Sequence, residues 1–138
     1  YDPLEFWEPI VRNGARNLVL NPDDFYILAS RELIRVPPNY AASMVPYDPS
    51  VGEFRIHYAG FFDPGFGYGA NDIAGTRAVL EVRSHDVPFL IEHGQDVGRL
   101  IYDRLLGAPD KIYGGNIGSS YQSQGLALAK QFKPLVAA

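Results

Sequence analysis

Cysteine is absent from this chain. That one absence removes a disulfide framework, a thiolate nucleophile and any cysteine-based zinc site. Histidine is scarce: His57, His85 and His93 are the three in the chain. None stands in an H-x-H or H-x-x-x-H relation to another, so a histidine metal site has little support and packing is the plainer role. No apolar run reaches the ~20 residues a membrane-spanning helix needs. No signal peptide is visible either, so the chain reads as soluble, and its composition suits a reducing cytoplasm. A basic stripe is also missing. Lys and Arg number 12 against 16 Asp and Glu, a formal charge of −4, which argues against a nucleic-acid surface and leaves room for a small-molecule partner.

What is present is a series of short apolar runs cut by 14 glycines and 11 prolines. The runs predict strands at Leu18–Leu20, Phe25–Ser30, Leu33–Val36, Ala41–Val45, Phe54–Phe62, Thr76–Arg83, Phe89–Glu92 and Gly98–Leu105. Leu126–Phe132 is the one helical candidate. Many short strands without sustained 3.6-residue periodicity favour an all-β sandwich or barrel over α/β. At 138 residues the chain suffices for one domain with a real core, not for two. The expected division is a connecting segment at 1–16, a β domain at 17–112, and a glycine-rich segment with a tail at 113–138. The opening at Tyr1, without an initiator Met, suggests that sequence precedes it.

The most informative stretch runs from His57 to Glu81. It holds an extended segment, an Asp63-Pro64-Gly65 turn, a glycine-rich excursion and a second strand. Apolar runs on both sides of the turn predict neighbouring strands, so that Ala59, Asp63 and Glu81 share one pocket. Alternation in the second strand puts Ala78, Leu80 and Val82 on a core face and Arg77, Val79, Glu81 and Arg83 on the other. A strand glutamate beside arginines is usually a surface ion pair that contributes little. Similarly, Ala59, Phe62 and Phe66 can be ordinary core residues and Asp63 a turn residue. The run Gly114 to Ser120 lacks the lysine and following helix of a phosphate loop.

The segment Phe54–Glu81, with Ala59, Asp63-Pro64-Gly65 and Leu80-Glu81, resembles the A-x-x-x-D-P-G-[aromatic] and L-E elements of dCTP deaminases, members of the dUTPase-like superfamily. The likeness extends back through NPDDFYILASRELIRVPP and forward through PFLIEHGQDVGRLIYDRL. Tyr113 and Tyr121-Gln122-Ser123-Gln124-Gly125 resemble the family's C-terminal closing segment. The resemblance implies a dUTPase-like β-barrel or jelly roll (β-clip) with a short C-terminal closing segment. It is nearest to the second half of a long, two-domain bacterial form.

One departure stands out. Where the family carries hydroxyls and an arginine for the triphosphate, this chain has Met44-Val45-Pro46-Tyr47-Asp48-Pro49-Ser50, with no basic residue. Ser120 likewise stands where a lysine is expected. The missing phosphate groups would then come from another part of a composite site: the family implies a homotrimer or association with an upstream homologous domain.

The resemblance implies hydrolytic deamination of dCTP to dUTP and ammonia. Zinc deaminases activate water with an H-x-E and P-C-x-x-C set, which this sequence lacks. Glu81 is therefore the expected base: it takes a proton from water as hydroxide adds to C4 of cytosine, and returns protons to N3 and the departing amine. The backbone at Ala59 would help hold that water. Asp63, Phe62 and Phe66 would face the deoxyribose, and Tyr113, Tyr121 and Gln124 would close over the nucleotide, dCTP or dUTP and in regulation dTTP. Magnesium would enter on the triphosphate, with no protein zinc site. Two other functions remain open, a dUTPase-like pyrophosphatase and a non-catalytic oligomerisation domain.

Overall fold

The computed structural model describes residues 1–11, 14, 16–46, 54–57, 60–68, 74–84, 86–107, 109–112, 128 and 131–134, with backbone alone for residues 46 and 54–57. Apart from one 3₁₀ turn at Pro3–Glu5, every regular element among these is a strand. They are β1 (Asn17–Leu20), β2 (Phe25–Ile34), β3 (Tyr40–Pro46), β4 (Phe54–His57), β5 (Phe61–Phe62), β6 (Thr76–Ser84), β7 (Phe89–Glu92) and β8 (Gly98–Arg104). The described residues include no helix long and apolar enough to cross a membrane.

Three antiparallel sheets form, in the orders β1-β7, β2-β6-β4 and β5-β3-β8. Strands distant in sequence pair throughout. β1 runs from Asn17 opposite Glu92 to Leu20 opposite Phe89, and β3 pairs with β8 from Tyr40–Arg104 to Pro46–Gly98.

β6 shows how local sequence decides placement. Its residues alternate strictly, with Thr76, Ala78, Leu80, Val82 and Ser84 buried and Arg77, Val79, Glu81 and Arg83 outward. A strand can hide only one side of its pleat when one sheet face meets the core. The buried side joins Leu20, Ile34, Val36, Ala42 and Phe62, so all three sheets contribute to one core.

The sequence suggests two strands between Phe25 and Val36. The structure has a single strand with an irregularity: Ala29 faces Val79, but the next pair is Leu33 with Arg77. The extra residues of this bulge are held from both sides. Ser30 Oγ accepts the Ala78 N–H at 2.9 Å and donates to the Glu32 carbonyl at 2.8 Å. Arg77 Nη1 donates to the carbonyls of Ser30 and Arg31 at 2.6 and 2.7 Å. A hydroxyl and a guanidinium thus replace the ladder bonds that the bulge removes.

The run expected as one strand, Phe54–Phe62, divides between sheets. β4 pairs with β6, whereas β5 pairs with β3 through Phe62–Ala42 and Phe61–Ser43. Within the helical candidate 126–132, the described residues 128, 131 and 132 are turn and coil. The backbone there pairs with the N-terminal segment: Tyr1 N donates to the Gln131 carbonyl at 2.7 Å, and Lys133 N donates to the Tyr1 carbonyl at 2.9 Å. The rings of Tyr1, Phe6 and Phe132 pack mutually at 5.7 to 6.5 Å. Asp2 caps the Pro3–Glu5 turn by accepting Leu4 N–H at 3.0 Å.

Candidate active site

Glu81 lies on the central strand of its sheet. Ile27 of β2 stands opposite it on one side and His57 of β4 on the other. The alternation of β6 turns the carboxylate outward, away from Leu80 and Val82. Two arginines share that face, and each is engaged elsewhere. Arg77 is committed to the bulge carbonyls. The Arg83 guanidinium carbon lies 5.2 Å from the centre of the Phe25 ring, the residue opposite it in register. Trp7 braces Phe25 from the N-terminal segment, with ring centroids 6.0 Å apart. Among the described residues, Glu81 makes no ion pair. The ordinary role of a strand glutamate flanked by arginines is thus not the one observed.

Asp63 sits in a tight turn whose geometry follows from its sequence. The Asp63 carbonyl accepts Phe66 N–H at 3.0 Å. Pro64 fixes the first central position and Gly65 takes φ 93° at the second, which is a type II turn. The turn is tied to the end of β2: Gly65 N donates to the Val36 carbonyl at 2.9 Å, and Val36 N donates to the Phe66 carbonyl at 2.8 Å. Gly67 follows at φ 64°, where an added Cβ would collide with the Ile34 carbonyl oxygen. The Asp63 side chain is exposed. Phe62 is buried in the core and meets Phe66 edge to face at 5.0 Å, so Phe62 backs a half-buried Phe66.

Glu81 and Asp63 therefore stand on well-defined supports, but Glu81 is on β6 and Asp63 follows β5, which belongs to a different sheet. Strand register does not place Asp63 opposite Glu81, because the chain changes sheet between β4 and β5. Ala59, Tyr113, Tyr121 and Gln124 lie outside the described residues. Of the stretch compared with the family's triphosphate segment, Met44 and Val45 belong to β3, opposite Leu100 and Arg99, and residues 47–50 lie outside the described residues.

A cavity of about 890 Å³ opens elsewhere, lined by residues of β1, β2, β3, β6, β7 and β8. Leu18, Leu28, Met44, Leu80, Ile91 and Leu100 supply much of its wall, with Arg16, Arg31 and Arg99 also lining it. Neither Glu81 nor Asp63 lines it. The candidate chemistry thus sits on an outer sheet face rather than in this hollow. Among the described residues, no group of three or more His, Asp or Glu is placed to hold a metal ion.

The family model for the C-terminal domain of 2'-deoxycytidine 5'-triphosphate deaminase matches residues 1–132. The chain belongs to the dCTP deaminase family. It is 30% identical over 121 residues to a Halobacterium salinarum protein named dCTP deaminase, dUMP-forming, and 28% identical over 121 residues to a dCTP deaminase of Natronomonas pharaonis. Each match covers 85% of this chain and 57% of the relative. A crystal structure of 2'-deoxycytidine 5'-triphosphate deaminase from Agrobacterium tumefaciens is 62% identical and superposes with a TM-score of 0.72, covering 80% of this chain and 33% of that one. The all-β, dUTPase-like fold expected from the motifs is the one found. The chain spans little more than half the length of the two curated relatives and a third of the crystallised chain.

Sequence reasoning singled out Glu81 but missed its neighbours. Phe25 and Trp7 are distant in sequence from Glu81 and belong to no recognised motif. The β2–β6 register sets Phe25 opposite Arg83, and Trp7 reaches Phe25 from the N-terminal segment. The signal available was the β2–β6 alternation itself, which places Phe25, Ile27 and Ala29 on the face of any partner strand's outward residues.

Proposed function

We propose that this chain is the C-terminal part of a dCTP deaminase that hydrolyses dCTP to dUTP and ammonia, with Glu81 as the group that activates water. The observation that carries this reading is a mid-strand carboxylate, on a rigid central strand, that its two neighbouring arginines leave uncompensated. Such a group is available for proton transfer, whereas an ion-paired one is a weaker base.

In this mechanism Glu81 accepts a proton from water as the oxygen bonds to C4 of cytosine. The proton passes to N3, giving a tetrahedral intermediate. A second proton goes to the amino group, and the C4–N4 bond breaks to release ammonia. A carbonyl forms at C4 as the hydroxyl gives up its proton. The backbone at Ala59 holds the water. Asp63 faces the deoxyribose, with Phe66 beside it and Phe62 behind. Tyr113, Tyr121 and Gln124 close over the nucleotide. Magnesium arrives on the substrate's triphosphate.

The stretch Met44 to Ser50 has no basic residue, so the triphosphate groups are held by a second copy or by a homologous domain of the same polypeptide, in a homotrimer or a related assembly. This favours a second reading for the chain taken alone, a domain that supplies one wall of a composite site. Ammonia release from dCTP with magnesium tests both, using the intact protein and its Glu81→Gln variant, with the nucleotide product identified as dUTP or dUMP. Turnover should fall at least ~100-fold in the variant, the usual worth of a positioned acid–base group, while nucleotide binding persists. Undiminished turnover in the variant overturns the role of Glu81.

A further inference from the structure

Two residues apart on one face of a strand, Glu81 and Arg83 have Cα atoms about 6.5–7 Å from each other. An arginine side chain spans that distance easily, and a salt bridge would be its ordinary destination. The structure shows a different one. The Arg83 guanidinium lies over the Phe25 ring at 5.2 Å, and Phe25 is held by Trp7 at 6.0 Å. Within about 6 Å of a ring centroid a guanidinium is attracted by the ring's negative face.

We propose that Phe25 is a positioning residue for the Glu81 carboxylate: its ring holds Arg83 off the base and so preserves the carboxylate's capacity to take up a proton. This rests on Glu81 being the water-activating group. The chemistry requires such a device. A carboxylate that must gain a proton from water and pass it on loses basicity beside a guanidinium, because a nearby positive charge favours the ionised form. The competing interactions are also similar in size, since an exposed cation–ring contact and an exposed ion pair each contribute at most ~1 kcal/mol. Removing the ring is therefore sufficient to change which one Arg83 makes.

The other charged residues near this register are the same in every variant compared. On β6 itself Arg77 is bound to the bulge carbonyls. On β2, Arg31 and Glu32 lie beyond Ala29 in the bulge, while Phe25, Ile27 and Ala29 are uncharged. On β4, Arg55 stands opposite Arg83 and His57 opposite Glu81 in register. A difference between variants that the Arg83→Met change removes is therefore traced to the Arg83 side chain.

The test is the pH dependence of kcat/KM for dCTP deamination by the intact protein, for wild type, Phe25→Leu, Phe25→Tyr and Phe25→Leu/Arg83→Met. Loss of the ring should move the acid limb down by about half a pH unit, as an exposed ion pair of this size implies, and lower the plateau. Tyrosine keeps the ring face and should keep the wild-type limb. The double variant, lacking the guanidinium, should return the limb to its wild-type position. An unmoved limb in Phe25→Leu overturns the proposal, as does an equal displacement in the double variant. Thermal melting confirms that each variant is folded, and the tyrosine variant carries the test if leucine is not tolerated: a Phe25→Tyr/Arg83→Met protein must then match Phe25→Tyr. Full activity in Glu81→Gln would instead remove the premise, so the two failures are distinct.

Discussion

Ser30 Oγ receives the main-chain N–H of Ala78 at 2.9 Å, across 48 positions of sequence. It does so in the middle of a β-ladder, where a carbonyl would ordinarily stand. The contact lies three residues before Glu81, so the strand that carries the candidate base is aligned by a side chain.

Ser30→Ala should therefore cost more than a surface substitution. It leaves the part-buried Ala78 N–H without its acceptor, a loss worth about 1–3 kcal/mol. Denaturant unfolding of wild type and variant measures it. A change within ~0.5 kcal/mol, typical of an uninvolved surface site, would mean the bulge is held by Arg77 alone.

Gly67 supports the Asp63 turn from the far side. Its φ of 64° and the Ile34 carbonyl at the position of a Cβ leave no room for alanine. Gly67→Ala should destabilise by at least ~2 kcal/mol, combining overpacking with an unfavourable left-handed backbone. Equal midpoints in a denaturant titration of the two proteins would contradict this geometry.

The Tyr102 hydroxyl donates to the Arg35 carbonyl at 3.1 Å, and burial raises its pKa from the ordinary 10.0. The folded state thus prefers the neutral phenol. The resulting stability is fully present below about pH 10 and is lost as pH climbs through the raised value. Because the side chain is 42% exposed, solvent screens the effect and keeps it small. Tyr102→Phe should melt lower at neutral pH, and the gap should narrow as pH rises above about 10. A gap that widens with rising pH would mean that the folded state favours the phenolate instead.

Trp7 packs against Phe25 with tilted rings, and its buried indole N–H has no hydrogen-bond partner among the described residues. Trp7→Phe removes that unpaired donor and keeps a ring, so it should change stability by less than ~0.5 kcal/mol, whereas Trp7→Ala should cost about 1–2 kcal/mol for a half-buried aromatic. Calorimetric melting of the pair decides the matter, and equal losses would show that the N–H, not the ring, matters.

The β6 alternation, the Asp63-Pro64-Gly65 turn and most strand positions were legible because each depends on neighbours within a few residues. Pleat geometry assigns Leu80 to the core and Glu81 to the outside whatever the partner strand is. Proline fixes its own φ, and glycine admits the positive φ that the turn requires. The break within Phe25–Val36 was also visible, although it proved to be a bulge: its cause, Ser30 and Arg77 acting together, requires knowing which strands are paired.

The sequence by itself determined the all-β class, the one-sided burial of β6 and the family motifs, since these follow from local periodicity, turn chemistry and residue order. Tertiary structure alone decided that β4 and β5 part into different sheets, that the N-terminal aromatics pack on Phe25 and Phe132, and that Arg83 rests on a ring instead of on Glu81. Those outcomes depend on long-range register, where interactions of nearly equal strength compete and only the assembled geometry selects among them.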